Sequence, residues 1–179
     1  MLGAYLLPGA AVWALAGLAI GVLALVVPGL ATAALVAAAG YGSAYGAAEV
    51  CGWPWPAAPG RRWQVPPGLL IGASGSRRVL TWGCILGPGF LTRNPYASFA
   101  ILPLLVATAS SIQAAVVVAA VVGAAHAGGR AAGLLRDVRR PQAEPFALVL
   151  RSLRWRALDG LALLTVAAAA AVVAGFRFR

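Results

Sequence analysis

The chain has 179 residues, of which 61% are hydrophobic and only 10% charged, and its mean hydropathy is +0.87. Soluble domains carry about 25% charged residues, so this composition excludes a soluble globular fold and predicts an integral membrane protein. The net charge of +10 comes from arginines gathered mostly in two short segments, a pattern that membrane orientation explains and that predicts no nucleic-acid partner.

The first two apolar stretches predict a hairpin of membrane helices. One crossing needs about 20 apolar residues, and residues 5–27 and residues 30–50 each supply that length. Pro28 and Gly29 lie between them and form a turn pair. We therefore predict two antiparallel crossings before the first basic loop, residues 51–78.

Three further crossings follow along the chain. Residues 79–108 form an apolar stretch that is about ten residues longer than one crossing needs. A turn at residues 109–111, with Ser110 or Ser111 as the N-cap, leads into a fourth crossing over residues 111–127. The last crossing covers residues 158–176, and residues 146–158 before it predict an interfacial helix with arginines on one side.

These spans predict an all-α fold, a single polytopic transmembrane helix bundle over residues 1–179 with about five crossings. Four arginines lie in residues 51–78 and seven in residues 128–160, whereas the turns near residues 28 and 110 have none. Arginine-rich loops stay on the cytoplasmic side. We therefore predict a multi-pass protein of the bacterial inner membrane whose cytoplasmic loops contact anionic headgroups.

The third crossing is predicted to break near residues 87–95. Pro88 removes a backbone hydrogen bond, Gly87 and Gly89 ease bending, and Pro95 disfavours helical geometry at the residue before it. Asn94 is then the predicted N-cap of a second half-helix. Backbone groups freed by such a break must face protein or a water-filled cavity, because lipid offers them no hydrogen bonds.

Arg93 lies within this break, about 21 Å along the helix from residue 79. A charge at this depth costs at least about 2.5 kcal/mol, so the guanidinium needs a partner. Two interpretations stay open: the free carbonyls of the first half-helix hold Arg93 structurally, or Arg93 and the second half-helix form a pocket for a small anionic solute. The predicted intramembrane polar site comprises Thr92, Arg93, Asn94, Tyr96, Ser98 and Gln113.

Glycine pairs four residues apart predict close helix contacts. The pairs are Gly17 with Gly21, Gly42 with Gly46, and Gly83 with Gly87. Small residues at this spacing let two helix backbones approach. They serve packing within one bundle or an interface with a second copy or another protein, and we predict protein partners or a homo-oligomer.

No motif predicts catalysis, a cofactor or a metal site. No nucleophile stands with a base, and no phosphate-binding loop or metal cluster is visible in the sequence. His126 and the carboxylates Glu49 and Asp159 fall at predicted span ends, where a polar group can stay hydrated. Cys51 and Cys84 lack the spacing of metal ligands.

The stretch "WGCILGPGF", residues 82–90, resembles the cysteine-proline turn of the DsbD/CcdA family of transmembrane thiol-disulfide carriers. The wider likeness reaches residue 133 and resembles small, half-size relatives of that family. The resemblance implies electron transfer by a cysteine pair, here Cys51 and Cys84, although the first two spans lack the family's second cysteine-proline turn. We predict a non-enzymatic, permease-like or membrane-complex assembly subunit; the alternative is a redox carrier using these two cysteines.

Overall fold

The computed structural model describes residues 3–53, 74–89, 96–139 and 145–177, and every regular element in these ranges is helical. The elements are α1 (Gly3–Val26), α2 (Leu30–Cys51), α3 (Gly75–Leu86), a 3₁₀ helix (Ala97–Ile101) continuing into α4 (Leu102–Val106), α5 (Ile112–Arg139) and α6 (Pro145–Arg177). We refer to the 3₁₀ helix and α4 together as the 97–106 segment. The predicted all-α fold class is confirmed for these ranges.

Within the described ranges, three helices are long and apolar enough to cross a membrane. They are Leu6–Val26 in α1, Ile112–Ala132 in α5 and Leu153–Arg177 in α6. These helices coincide with the predicted first, fourth and fifth crossings. Many of their exposed side chains are apolar; Leu7 and Leu25, for example, are 73% and 67% exposed. Apolar surface of this extent fits a lipid environment.

The other two predicted crossings differ from these three. α2 has 22 residues, which gives a length of about 33 Å, but polar residues including Tyr41, Tyr45 and Glu49 reduce its hydropathy. α3 has 12 residues and the 97–106 segment is a short apolar helix, so each is too short to cross a bilayer alone. By length and composition, the structure supports three crossings of the predicted five.

α3 ends where the sequence predicts a break in the third apolar stretch. α3 begins at Gly75, where Ser74 Oγ accepts a hydrogen bond from Arg77 N at 3.4 Å, and the helix ends at Leu86. Residues 87–89 are not helical, and Gly89 has φ +75°, a left-handed conformation that glycine adopts without strain. Residues 90–95 lie outside the described residues.

Two element boundaries differ from the predictions. The second half of the broken span begins at Ala97, and the N-cap position belongs to Tyr96, which makes no side-chain capping bond. Asn94, the predicted N-cap, lies outside the described residues. α5 continues to Arg139, 12 residues beyond the predicted end, because "AGGRAAGLLRDVR" contains no proline. Ser111 Oγ accepts from Ala114 N at 3.1 Å, which confirms the predicted cap.

α6 is one continuous helix of 33 residues. The predicted interfacial helix, residues 146–158, and the predicted crossing, residues 158–176, are its two parts. No proline interrupts the helix after Pro145, which occupies its first position, where proline is well tolerated. Gly160 alone does not break it, since this glycine packs against α2.

The contacts divide the chain into two compact units, although the sequence predicts a single domain. Unit 1 comprises Met1–Val22, Gly60–Asn94 and Ser110–Pro141, and unit 2 comprises Leu23–Pro59, Pro95–Ala109 and Gln142–Arg179. The units therefore take alternating segments of the chain. Each has its own buried side chains and its own contacts between two long helices.

In unit 1, α1 packs closely against α5. A Cβ atom placed on Gly17 would lie 2.6 Å from the carbonyl oxygen of Ala115, and one on Gly123 would lie 2.4 Å from the carbonyl oxygen of Gly9. Trp13 and Ala119 are fully buried at this contact. The predicted use of Gly17 for close helix approach is confirmed, and it serves packing within the unit.

In unit 2, α2 packs against α6 in the same manner. A Cβ on Gly42 would lie 2.9 Å from the carbonyl oxygen of Leu163, and one on Gly46 would lie 2.9 Å from that of Gly160. The 97–106 segment joins this pair through the buried Ala97 and Ile101. The hydrophobic core of unit 2 is formed by Leu35, Ala38, Ala97, Ile101, Leu163, Ala170 and Ala174.

Candidate functional site: a polar cluster where the broken span resumes

The start of the 97–106 segment has no local capping group among the residues that the structure describes. The first N–H groups of any helix lack partners within it, and short polar side chains at the N-cap usually satisfy them. Tyr96 holds the N-cap position with extended backbone and provides no such bond. A partner for these donors must therefore come from another part of the chain.

Asp159 of α6 supplies that partner. Its Oδ2 accepts a hydrogen bond from Ser98 N at 3.2 Å, and its Oδ1 accepts from the hydroxyl of Ser98. Both residues are half-buried. A carboxylate near a helix N-terminus is also favoured by the helix dipole. Asp159 therefore acts as an N-cap contributed by a residue 61 positions away.

Tyr41 of α2 binds the neighbouring residue. Its hydroxyl donates to the carbonyl oxygen of Ala97 at 2.8 Å, and its ring stacks on Tyr45 with centroids 4.4 Å apart. Ala97 itself is 1% exposed. Polar side chains of α2 and α6 thus hold the segment at the point where it becomes helical.

An ion pair joins α2 and α6 one helical turn from Asp159. Arg156 Nε donates to Glu49 Oε2 at 2.5 Å, with the two side chains 45% and 16% exposed. We define the polar cluster as Tyr41, Glu49, Ser98, Arg156 and Asp159, all in unit 2. Because Arg156 balances Glu49, the remaining formal charge of the cluster is that of Asp159.

A separate hydrogen bond in unit 1 serves the other end of the break. The indole Nε1 of Trp13 donates to the carbonyl oxygen of Pro88 at 2.9 Å, and both residues are fully buried. This carbonyl belongs to the non-helical residues after α3. The break therefore begins inside protein, as the absence of hydrogen-bonding partners in lipid requires.

The structure describes only some residues of the predicted intramembrane polar site, and it does not place these in one cluster. Thr92, Arg93, Asn94 and the predicted helix breaker Pro95 lie outside the described residues. Tyr96 is 40% exposed and Ser98 belongs to the polar cluster, whereas Gln113 is exposed in the first turn of α5, which belongs to unit 1. Since the Ser98 hydroxyl donates to Asp159, it is not free to bind an anion.

The two cysteines of the redox interpretation are free and exposed. Cys51 ends α2 in unit 2 and Cys84 lies in α3 in unit 1. Electron transfer between them stays a prediction. His126 is partly buried in α5. Among the residues that the structure describes, no three histidine, cysteine, aspartate or glutamate side chains form a potential metal site.

Sequence reasoning missed the residues that hold the break. Trp13 reads as an ordinary apolar-span residue, Tyr41 as an isolated aromatic, and Asp159 as a hydrated residue at a span end. Each bonds a residue more than 50 positions away. A polar side chain within a candidate span was the one available signal, and it applies to Tyr41 and Asp159.

Comparison with protein-family models, with curated proteins and with solved structures gave no match to this chain. The similarity to DsbD/CcdA carriers therefore stays a prediction from residues 82–133. Functional inference depends on the chemistry of the polar cluster and on the membrane character of the long helices.

Proposed function

We propose that the chain is a permease-like subunit of the cytoplasmic membrane, without catalytic chemistry of its own, and that the polar cluster engages the transported solute. We retain five crossings, with both basic loops on the cytoplasmic side. In this topology the third crossing covers residues 79–108, with its break near residues 87–95. Transporters commonly form their binding sites where a membrane helix is discontinuous.

The single observation that carries this proposal is the bonding of Asp159. Its carboxylate lies within the candidate span Leu153–Arg177 and binds the first turn of the 97–106 segment. Ionisable residues within membrane spans are rare and energetically costly, and by default they mark solute or proton pathways. If the start of the 97–106 segment needed only structural capping, a local serine or asparagine would be a simpler cap than a carboxylate from another helix.

The proposed crossing by α2 agrees with where its polar side chains lie. Tyr41 binds the 97–106 segment and Glu49 binds α6. These polar side chains reduce the mean hydropathy of α2. Because they face protein and not lipid, they do not prevent the helix from spanning a membrane. Its opposite side includes the exposed residues Val36 and Val50.

The charge of the polar cluster favours a cation or an uncharged solute over an anion. Glu49 is balanced by Arg156, which leaves Asp159 as the uncompensated charge among the cluster's members. An anion in low-dielectric surroundings would be repelled by this carboxylate. The anionic solute that Arg93 and the helix break suggest from sequence alone stays a prediction, since Arg93 lies outside the described residues.

The proposal is tested by flux measurements on the reconstituted chain. Liposomes with and without protein are loaded with a pH-sensitive or a sodium-sensitive dye and given the matching ion gradient, and osmotic recovery in glycerol reports uncharged solutes. We expect wild-type protein to accelerate at least one of these fluxes. Asp159→Asn should reduce it at least about tenfold, because the lost charge-assisted hydrogen bond contributes about 1.5–3 kcal/mol.

Arg154→Gln is the matched control for this experiment. Arg154 lies on the same helix as Asp159 but outside the polar cluster, and its side chain is exposed, so its replacement should leave the flux within about twofold. Wild-type protein that accelerates no flux, while co-purifying with a stable membrane partner, would instead support an assembly subunit. Equal activity of Asp159→Asn and wild-type protein would remove the polar cluster from the function.

A further inference from the structure

The outward side of α6 near its membrane boundary combines a cation, an aromatic residue and apolar residues. Gly160, Leu163 and Ala167 face α2. Arg154, Leu158 and Leu161 lie on another side of the helix, because positions four and seven residues apart share one face. Leu158 and Leu161 are 54% and 53% exposed, and Trp155 beside them is 44% exposed.

The length of α6 indicates that Arg154 lies at headgroup level. Arg154 and Arg177 are separated by about 34 Å along the helix axis, close to the hydrocarbon thickness of about 30 Å. Each arginine has an exposed aromatic neighbour, Trp155 at one end and Phe176 at the other. Aromatic and basic residues together mark the two boundaries of a membrane span.

Arg154 and Arg156 differ in what their guanidinium groups bind. Arg156 donates to Glu49 across the α2–α6 contact. Arg154 is exposed and has no hydrogen bond or ion pair with any residue that the structure describes. Its fork of N–H donors matches the oxygens of a phosphate group. Arg156 is thus bound to another side chain of the protein, whereas Arg154 is available to a ligand.

We propose that this face of α6 binds an anionic phospholipid. Arg154 binds the phosphate, Trp155 lies at the level of the headgroup and glycerol, and Leu158 and Leu161 contact an acyl chain. A lipid is favoured over a soluble anion because the apolar residues continue directly from the cation into the span. This site is distinct from the polar cluster, so it does not depend on the proposed transport function.

The test is native mass spectrometry of the detergent-purified full chain. The protein is titrated with dioleoyl phosphatidylglycerol and separately with dioleoyl phosphatidylcholine, which carry the same acyl chains. We expect wild-type protein to bind phosphatidylglycerol about fivefold more tightly, the factor that one arginine near an anionic surface contributes. Arg154→Gln should lose this preference, and Arg154→Lys should retain most of it because the charge remains.

Arg156→Gln provides a charge-matched control in the same turn. It removes one positive charge, as Arg154→Gln does, but from a guanidinium bound to Glu49, so the lipid preference should persist. Equal loss in both variants would show a diffuse attraction to the basic segment and would overturn the site. An unchanged preference in Arg154→Gln, or no preference in the wild type, would overturn it as well.

Discussion

Replacing Gly123 with alanine is expected to destabilise the packing of α1 against α5. The added Cβ would lie 2.4 Å from the carbonyl oxygen of Gly9 and 2.6 Å from Trp13 Cβ. These atoms belong to the backbone and to the base of a buried side chain, so the helices must separate to accept a methyl group. Overpacking of this kind costs about 1–3 kcal/mol. Trp13 would also shift relative to its hydrogen bond with Pro88.

Gly129→Ala is the matched control, since it adds the same methyl group to the same helix. No atom lies within 4 Å of a Cβ at Gly129, and alanine favours helix over glycine by about 1 kcal/mol. Thermal unfolding in detergent, followed by tryptophan fluorescence, should show a melting temperature lower by about 3–10 °C for Gly123→Ala. The control should melt at or above the wild-type temperature. Similar melting of both variants would contradict the α1–α5 contact.

Replacing Asp159 with leucine is expected to have the second large effect, through the start of the 97–106 segment. Leucine has the same branched heavy-atom skeleton as aspartate but accepts no hydrogen bond, so Ser98 N and the Ser98 hydroxyl lose their common partner. Each unsatisfied donor costs about 1–3 kcal/mol when it is buried. Because Ser98 is half-buried, we expect a total loss of about 2–4 kcal/mol in the free energy of unfolding.

Hydrogen exchange localises this effect. Peptides from the 97–106 segment should exchange faster in Asp159→Leu than in wild-type protein, whereas peptides from α5 should not change. Arg156→Gln, on the same helix, removes a partly exposed ion pair and should cost less than about 1 kcal/mol. If Arg156→Gln accelerated exchange in the 97–106 segment as much as Asp159→Leu, the capping role of Asp159 would be refuted.

Local chemistry predicted the elements whose signals lie within one stretch of chain. Apolar runs of about 20 residues located α1 and α5, and the Gly-Pro-Gly sequence at residues 87–89 located the break. Ser111 was predictable as a cap because its acceptor and the donor at Ala114 are three residues apart. These features depend on backbone geometry and on burial over a few turns, which sequence spacing records.

The polar cluster could not be predicted because its bonds are long-range. Tyr41 and Ala97 are 56 positions apart and Ser98 and Asp159 are 61 positions apart, and a single sequence has no signal for such pairs. The capping of Ser98 N by a carboxylate on α6 could not be predicted for the same reason. The sequence did not indicate that α6 is one continuous helix, because the arginines before residue 158 suggested a separate helix at the membrane–water interface.

The third apolar stretch forms two separate helical pieces, and Asp159 holds the start of the second. A density map of the chain in a lipid nanodisc, with a bound antibody fragment to aid alignment, tests this claim most directly. We expect helical density to end at Leu86 and to resume at Ala97, with the Asp159 carboxylate against Ser98. A continuous helix through residues 86–102, with Asp159 directed away from it, would contradict the account.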